Sequence, residues 1–305
     1  MAGFILRRLA QALLFAVGAV VLVFFMVRLT GDPSALMLAR EATPEQRAAF
    51  RTATGLDRPL FEQLARYLGG VARGDLGRSL RLGEDNLSLI WRRLPATLEL
   101  ALAALFLAVV VGVPLGLLGG MAPGSSLDTF ARAVGLAGQT VPNFWLAMLL
   151  ILVFAVNLGL FPSFGRSGLH SLVLPALALG FALIGQVVRL TRASVLEVRS
   201  EDYVRTARAK GMRRQRVSFK HVIPNAAIPL ISVLGVQFTY LLGGSVYIEV
   251  IFAWPGLGSL LEGAIRDGDF PLVQAITIFF ALFAIMAQLL SDALYAAIDP
   301  RVRMG

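Results

Sequence analysis

The sequence predicts an all-α membrane protein of six transmembrane helices, with both termini in the cytoplasm. Three observations carry that expectation. The chain of 305 residues is 57% hydrophobic and only 15% charged, with a mean hydropathy of +0.74, whereas a soluble domain holds about 45–50% apolar and about 25% charged residues. The apolar residues gather into runs long enough to cross a bilayer, which takes roughly 17–25 residues of helix. The basic residues crowd into one connection instead of spreading evenly.

The six runs are residues 9–27, 98–118, 134–156, 172–188, 228–251 and 272–290. Lys and Arg stand only at their edges, as Arg28 and Arg189 do; a central one costs about 2.5–3.5 kcal/mol on insertion. Continuous apolarity excludes barrel strands, which alternate. The first run follows Arg7 and Arg8 as a secretory signal would. It is too long for a signal core, and no small-residue cleavage site follows, so it reads as an uncleaved span. Pro142 interrupts the third run, and the short fourth holds Pro175 and Gln186.

Residues 30–95 form the long outer connection. Thr43-Pro44-Glu45-Gln46 has the form of a capping box with proline at the first helical position. Gly55 is a plausible stop. A second short helix is expected from Asp57-Arg58-Pro59, with Leu60, Leu64, Tyr67, Leu68 and Val71 on one face. In domain terms, 1–30 is a first span, 31–95 an external loop with short helices, 96–295 the core membrane domain and 296–305 a cytoplasmic tail.

The net charge is +9. Arg189, Arg192, Arg199, Arg205, Arg208, Lys210, Arg213, Arg214, Arg216 and Lys220 lie between the fourth and fifth runs, whereas connections 159–171 and 252–271 hold only Arg166 and Arg266. The crowded loop is therefore cytoplasmic, as are the termini with Arg7, Arg8, Arg301 and Arg303 and the connection with Arg132. Topology thus accounts for the basicity, and no nucleic-acid partner is needed to explain it. The absence of cysteine excludes disulfides and cysteine-ligated metals.

The loop at 194–225 is far longer than a connector requires. Residues 201–210 are good helix formers, acidic at the start and basic at the end, which suits the helix dipole. Gly211 breaks that helix, 212–222 is helical again, and Pro224 marks the return into the membrane. Two short cationic helices hinged at a glycine form an element built to press on a partner.

Here the residues resemble a known family. ABC-importer permeases carry a cytoplasmic motif E-A-A, three residues, G, nine residues, I-x-L-P. Arg205-Thr206-Ala207, Gly211 and His221-Val222-Ile223-Pro224 keep that spacing, with Ala207, Gly211 and Pro224 identical. The string from Tyr203 to Gly211 is similar to the dipeptide, oligopeptide and nickel branch. So are Gly31-Asp32-Pro33, Gly55-Leu56-Asp57-Arg58-Pro59-Leu60, Gly74-Asp75-Leu76-Gly77-Arg78-Ser79, Arg93-Leu94-Pro95-Ala96-Thr97-Leu98-Glu99-Leu100, Val141-Pro142-Asn143-Phe144, Pro255-Gly256-Leu257-Gly258 and Asp299-Pro300-Arg301.

That resemblance implies the type I ABC importer permease fold and a place in the cell inner membrane. It implies a loop docked on ATPase subunits, with contact residues Tyr203, Arg205, Thr206, Ala207, Lys210, Gly211, Arg213, Arg216 and Pro224. Ala207 and Gly211 would permit close approach. The implied partners are a second permease, two ABC ATPases, an external substrate-binding protein and the surrounding membrane lipid. The cargo would be a short peptide, or nickel or a related small solute. The outer helices would then be either a cap on the membrane surface or part of a docking surface for the binding protein.

The residues also exclude functions. A phosphate-binding loop needs Gly-Lys-[Ser/Thr], but the only lysines, Lys210 and Lys220, precede Gly211 and His221. No cofactor site is expected in this chain; ATP and magnesium belong to the ATPase partners. A secondary transporter, the alternative reading, needs ionisable residues deep in the membrane, and Glu99, Glu249 and Asp292 lie near span ends. No catalytic or metal site is expected: His170 and His221 fall in connections, and Gly243-Gly244-Ser245 has no histidine base and reads as a close-packing site. Of the polar residues within spans, Gln139, Asn143, Gln186, Gln237, Tyr240, Gln274 and Gln288 either line a path or bond helices together. Gln139, Asn143, Gln237 and Gln274 are the path candidates.

Overall fold

A computed structural model describes residues 2–30 and 43–298. The expectations for Gly31-Asp32-Pro33, Asp299-Pro300-Arg301 and Arg303 lie outside the described residues. Within them the structure is helical, apart from an isolated bridge between Arg78 and Asp85.

After α1 (Ala2–Thr30), the connection expected on the outer side holds α2 (Pro44–Thr54) and α3 (Leu60–Ala72). The expected capping box is present: the Gln46 N–H donates to Thr43 Oγ1 at 3.3 Å, and the Thr43 N–H to Gln46 Oε1 at 2.9 Å. Gly55 closes α2 in the left-handed region, at φ 69°. The long α4 (Asn86–Met121) has 36 residues and spans about 54 Å at 1.5 Å per residue. Hydropathy at 98–118 therefore captured only its apolar part.

The third run differs most from expectation. α5 (Ser126–Thr140) and α6 (Asn143–Leu150), which continues as a π-turn at Ile151–Asn157, meet at a 107° bend. Pro142 has no N–H to donate and disfavours the helical region for the residue before it. Val141 is accordingly extended, at φ −85° and ψ 118°. Beyond the bend come α7 (Leu169–Ser200), α8 (Asp202–Ala209), and α9 (Arg214–Val217) with a π-turn at Ser218–Val222. The order ends with α10 (Ile223–Ile251), α11 (Leu257–Arg266) and α12 (Phe270–Ile298). Each of the six runs falls on helix, the third with a break at Val141 and Pro142. Among the described residues, α4, α7 and the Phe270–Leu289 part of α12 are long and apolar enough to cross a membrane, joined by a fourth if the bent α5–α6 pair counts as one span. In α1 and α10 the described apolar stretches, Ala10–Met26 and Tyr240–Ile251, are shorter.

The chain divides into two units. The first, Met1–Thr97 with Pro255–Leu289, is organised around the Asp269 carboxylate, which is 1% exposed. Ser79 Oγ donates to it, as do the backbone N–H groups of Leu80 and Arg81, each at 3.2 Å, and of Leu272 at 3.3 Å. A buried carboxylate is tolerable only when so satisfied. The segment leading to Ser79 is folded by its own residues: the Gly77 N–H donates to Asp75 Oδ1 at 2.8 Å, and Asn86 Nδ2 to the Leu76 carbonyl at 2.9 Å.

The second unit, Leu98–Trp254 with Leu290–Gly305, is built on α7, and small residues set its spacing. A Cβ added at Gly112 would lie 2.8 Å from Val187 Cγ1, at Gly116 2.6 Å from Thr191 Cβ, and at Gly120 2.8 Å from Val195 Cβ. On the α5 side, a Cβ at Gly138 would lie 2.8 Å from Gly185 Cα. Lipid provides no hydrophobic drive between helices, so close backbone approach and van der Waals contact replace it. Gly243 and Gly244, expected to serve this way, do not do so among the described residues. Nothing lies within 4 Å of a Cβ at Gly243, and Leu179 Cδ1 is 3.7 Å from one at Gly244.

Candidate functional site

The basic loop is a folded element. Val204, Ala207, Val217 and Val222 are buried together with Val195 of α7 and Ala226 of α10, with Leu117, Met121, Val198 and Met212 packed around them. Burial of this cluster fixes α8 and α9 onto the ends of α4, α7 and α10. α8 starts as its sequence suggests, the Val204 and Arg205 N–H groups donating to the Glu201 carbonyl at 3.0 and 3.1 Å. It ends in a Schellman turn: the Gly211 N–H donates to Arg208 O at 2.9 Å and the Met212 N–H to Ala207 O at 3.3 Å. Gly211 has φ 77°, which glycine reaches without the steric penalty of a side chain.

Tyr203, Arg205, Thr206, Lys210, Gly211, Arg213, Arg216 and Pro224 are exposed on this element. Ala207 differs from expectation: only 7% exposed, it turns into the chain's own core, where a larger side chain would displace Val217 or Val222. Sequence reasoning missed Phe219, an aromatic 73% exposed on the same element. The Tyr203 ring lies 6.5 Å from the His221 ring. Partial burial, and then the nearby Glu201 charge, raise its phenol above the usual range. The surface therefore presents cations, an aromatic pair and little negative charge beyond Glu201 and Asp202.

Three of the four path candidates meet. Gln139, Asn143 and Gln237 line one cavity of about 410 Å³, together with Gln186 and Tyr240. The α5–α6 bend opens it, since Val141 and Pro142 form part of its wall. Broken backbone at membrane depth is tolerated where it lines such a space. Gln274 is not among the lining residues; it sits in α12, 6% exposed, with Nε2 lacking a hydrogen-bond partner. Gln186, passed over as a path candidate, is on the wall. Among the described residues, no three of His, Cys, Asp and Glu stand close enough to share a metal ion.

Comparison with known proteins gives a concordant result. The family model described as binding-protein-dependent transport system inner membrane component matches residues 112–304, and its N-terminal companion model matches residues 1–101. The oligopeptide transport system permease protein AppB of Bacillus subtilis is 38% identical over 317 residues, with 99% of each chain covered. A putative peptide transport system permease protein of Brucella abortus is 40% identical, and the dipeptide transport system permease protein DppB of Escherichia coli 36%, again with 99% coverage of both chains. Among solved structures, an inward-facing MetNI methionine ABC transporter chain superposes with a TM-score of 0.60 at 20% identity, covering 70% of this chain and 97% of that one. An amino acid ABC transporter determined with histidines gives 0.56 at 19%, covering 69% and 94%.

Proposed function

Because the chain belongs to the family of binding-protein-dependent transport system inner membrane components, a permease subunit of an ABC importer, we propose that it forms half of the translocation path for short peptides. The permease relatives that match it along 99% of their length bear peptide-transport names, which supports that cargo over nickel or another small solute. The complex comprises this chain, a second permease, two ATPase subunits that bind ATP with magnesium, and an external binding protein, in the inner membrane of the cell. The chain crosses that membrane six times and leaves both termini inside. It has no ATPase site of its own.

The observation that carries this reading is the basic loop: cations displayed outward on short helices that a buried apolar cluster holds rigid. A rigid lever of this kind transmits ATPase closure to α7 and α10, and through them to the cavity around Gln139, Asn143 and Gln237. The test is co-purification of the tagged chain from mild detergent, wild type against Lys210→Glu/Arg213→Glu. Both residues are exposed, so the fold is spared. Wild type should bring down ATPase chains and a second permease, and the variant should lose the ATPases while keeping the permease. A wild-type chain that purifies alone and transports in vesicles without ATP would overturn the reading.

A further inference from the structure

A second cavity of about 280 Å³ lies between α5 and α7, lined by Arg132, Leu136, Gln139, Arg189 and Arg192 among others. Its charge is unbalanced. Arg192 donates to both oxygens of the buried Asp128 carboxylate, Nη2 to Oδ2 at 3.1 Å, and Arg132 Nε stands 3.8 Å from the same group. Arg189 makes no ion pair among the described residues. Three guanidiniums against one carboxylate leave two positive charges in surplus around the cavity. The Arg189 position is also built for: a Cβ on Gly135 would lie 2.6 Å from Arg189 Cγ, so the glycine lets the arginine stem lie across α5.

The two cavities are continuous in sequence terms. Gln139 lines both. On α7, Gln186, Arg189 and Arg192 follow one another at intervals of three, and on α5 Arg132 and Gln139 are seven apart, so each set shares one helix face. A polar stripe thus runs from the glutamine-lined cavity to the arginine-lined one, at the end of α7 that leads into the basic loop. Arg132, Arg189 and Arg192 lie just beyond the apolar runs 134–156 and 172–188, on the side that the bias of basic residues assigns to the cytoplasm, so the stripe leads from the glutamine-lined cavity toward the inner face.

We propose that the arginine-lined cavity receives the free C-terminal carboxylate of a peptide on its way inward, with Arg189 and Arg132 as the receiving groups. This rests on the transport reading above. Guanidinium matches carboxylate geometry in a fork and stays charged at any physiological pH. Arg192 is already engaged by Asp128 and serves to position the wall. Arg132 is 57% exposed, so the receiving groups remain hydrated and the hold is brief, as a transit station requires.

The experiment uses the complete complex in vesicles, with its ATPases and binding protein, supplied with two peptides of one sequence. One ends in a free carboxylate and the other in an amide. The readout is the ratio of their uptake in wild type and in Arg189→Gln, Arg132→Gln and Arg189→Lys, which cancels any preference of the binding protein. Wild type should favour the free acid, and Arg189→Gln should lower the ratio by about tenfold, the worth of a charge-assisted hydrogen bond. Arg132→Gln should lower it less, and Arg189→Lys should recover part of it, with subunit composition unchanged. An unaltered ratio in Arg189→Gln/Arg132→Gln overturns the proposal. If that double variant instead loses a co-purifying anionic phospholipid at an unaltered ratio, the cavity is a lipid headgroup site and the proposal fails. If the wild-type complex moves neither peptide, the transport reading fails and takes this inference with it.

Discussion

Ala253 is the one non-glycine residue with positive φ among the described residues, at 47°. It follows α10, where the Ala253 N–H donates to Val250 O at 3.2 Å and the Trp254 N–H to Glu249 O at 2.8 Å. This is the same Schellman turn that Gly211 makes after α8. Its neighbours Phe252 and Trp254 are 1% and 0% exposed, so burial on both sides holds the alanine in place. The left-handed region costs a side-chain-bearing residue about 1–2 kcal/mol, and glycine returns about 0.5–1 kcal/mol of that through its freer unfolded chain. Ala253→Gly should therefore raise stability by up to about 1 kcal/mol, seen as a higher thermal midpoint of the detergent-solubilised chain; a lower midpoint would contradict the assignment. Gly211 gives the converse series. Asparagine tolerates the left-handed region better than alanine, and alanine better than a β-branched residue. Peptide-driven ATP turnover of the assembled complex should fall in the order Gly211, Asn, Ala, Val, and a valine variant as active as wild type would remove the hinge from the mechanism.

Among elements, the decisive contacts are made by what is missing from the side chains. Gly112, Gly116 and Gly120 recur every four residues on α4 and meet successive turns of α7. Hydropathy located both helices but is blind to this seam, because a run of apolar residues does not say which face is narrow. The four-residue spacing was present in the sequence and was the signal to use. Around a Cβ at Gly116 the neighbours are Thr191 Cβ at 2.6 Å and the Val188 carbonyl at 2.7 Å, neither of which is a flexible tip. Gly116→Val should separate α4 from α7 and cost about 1–3 kcal/mol, with loss of uptake measured in vesicles. Gly18, with nothing within 4 Å of a Cβ, is the control: Gly18→Ala should leave uptake unchanged. The outer helices were legible down to single bonds, since a capping box and a glycine stop are local chemistry. The 107° bend was legible only as an interruption at Pro142, because the direction of a bend is set by packing that one sequence segment does not contain. The same limit explains the candidate site. Exposed charge on the basic loop could be read from composition, and Ala207 could not, since which face of α8 turns inward depends on Val195 and Ala226 far along the chain.

Taken as a whole, the chain poses a topology that the described helices only partly define by length and composition. The charge distribution argues for the rest: seven basic residues between α7 and α10 would have to be carried outward if the orientation were reversed, against the bias that keeps Lys and Arg of short loops inside. The membrane orientation of Arg189 and of the loop then follows together, because both belong to the same end of α7. The absence of cysteine makes a direct measurement available. Lys210→Cys and Ser167→Cys place a single thiol at exposed positions on opposite ends of α7. In intact cells, an impermeant maleimide should label the Ser167→Cys variant and not the Lys210→Cys variant. In inverted vesicles from cells lacking the ATPase partners, where nothing covers Lys210, the pattern should reverse. Labelling of both from one side would mean that α7 does not cross the membrane, and the loop at Lys210 and the connection at Ser167 would then share a face. The lever from the ATPases to the cavity would lose its geometry, whatever the family resemblance of the parts.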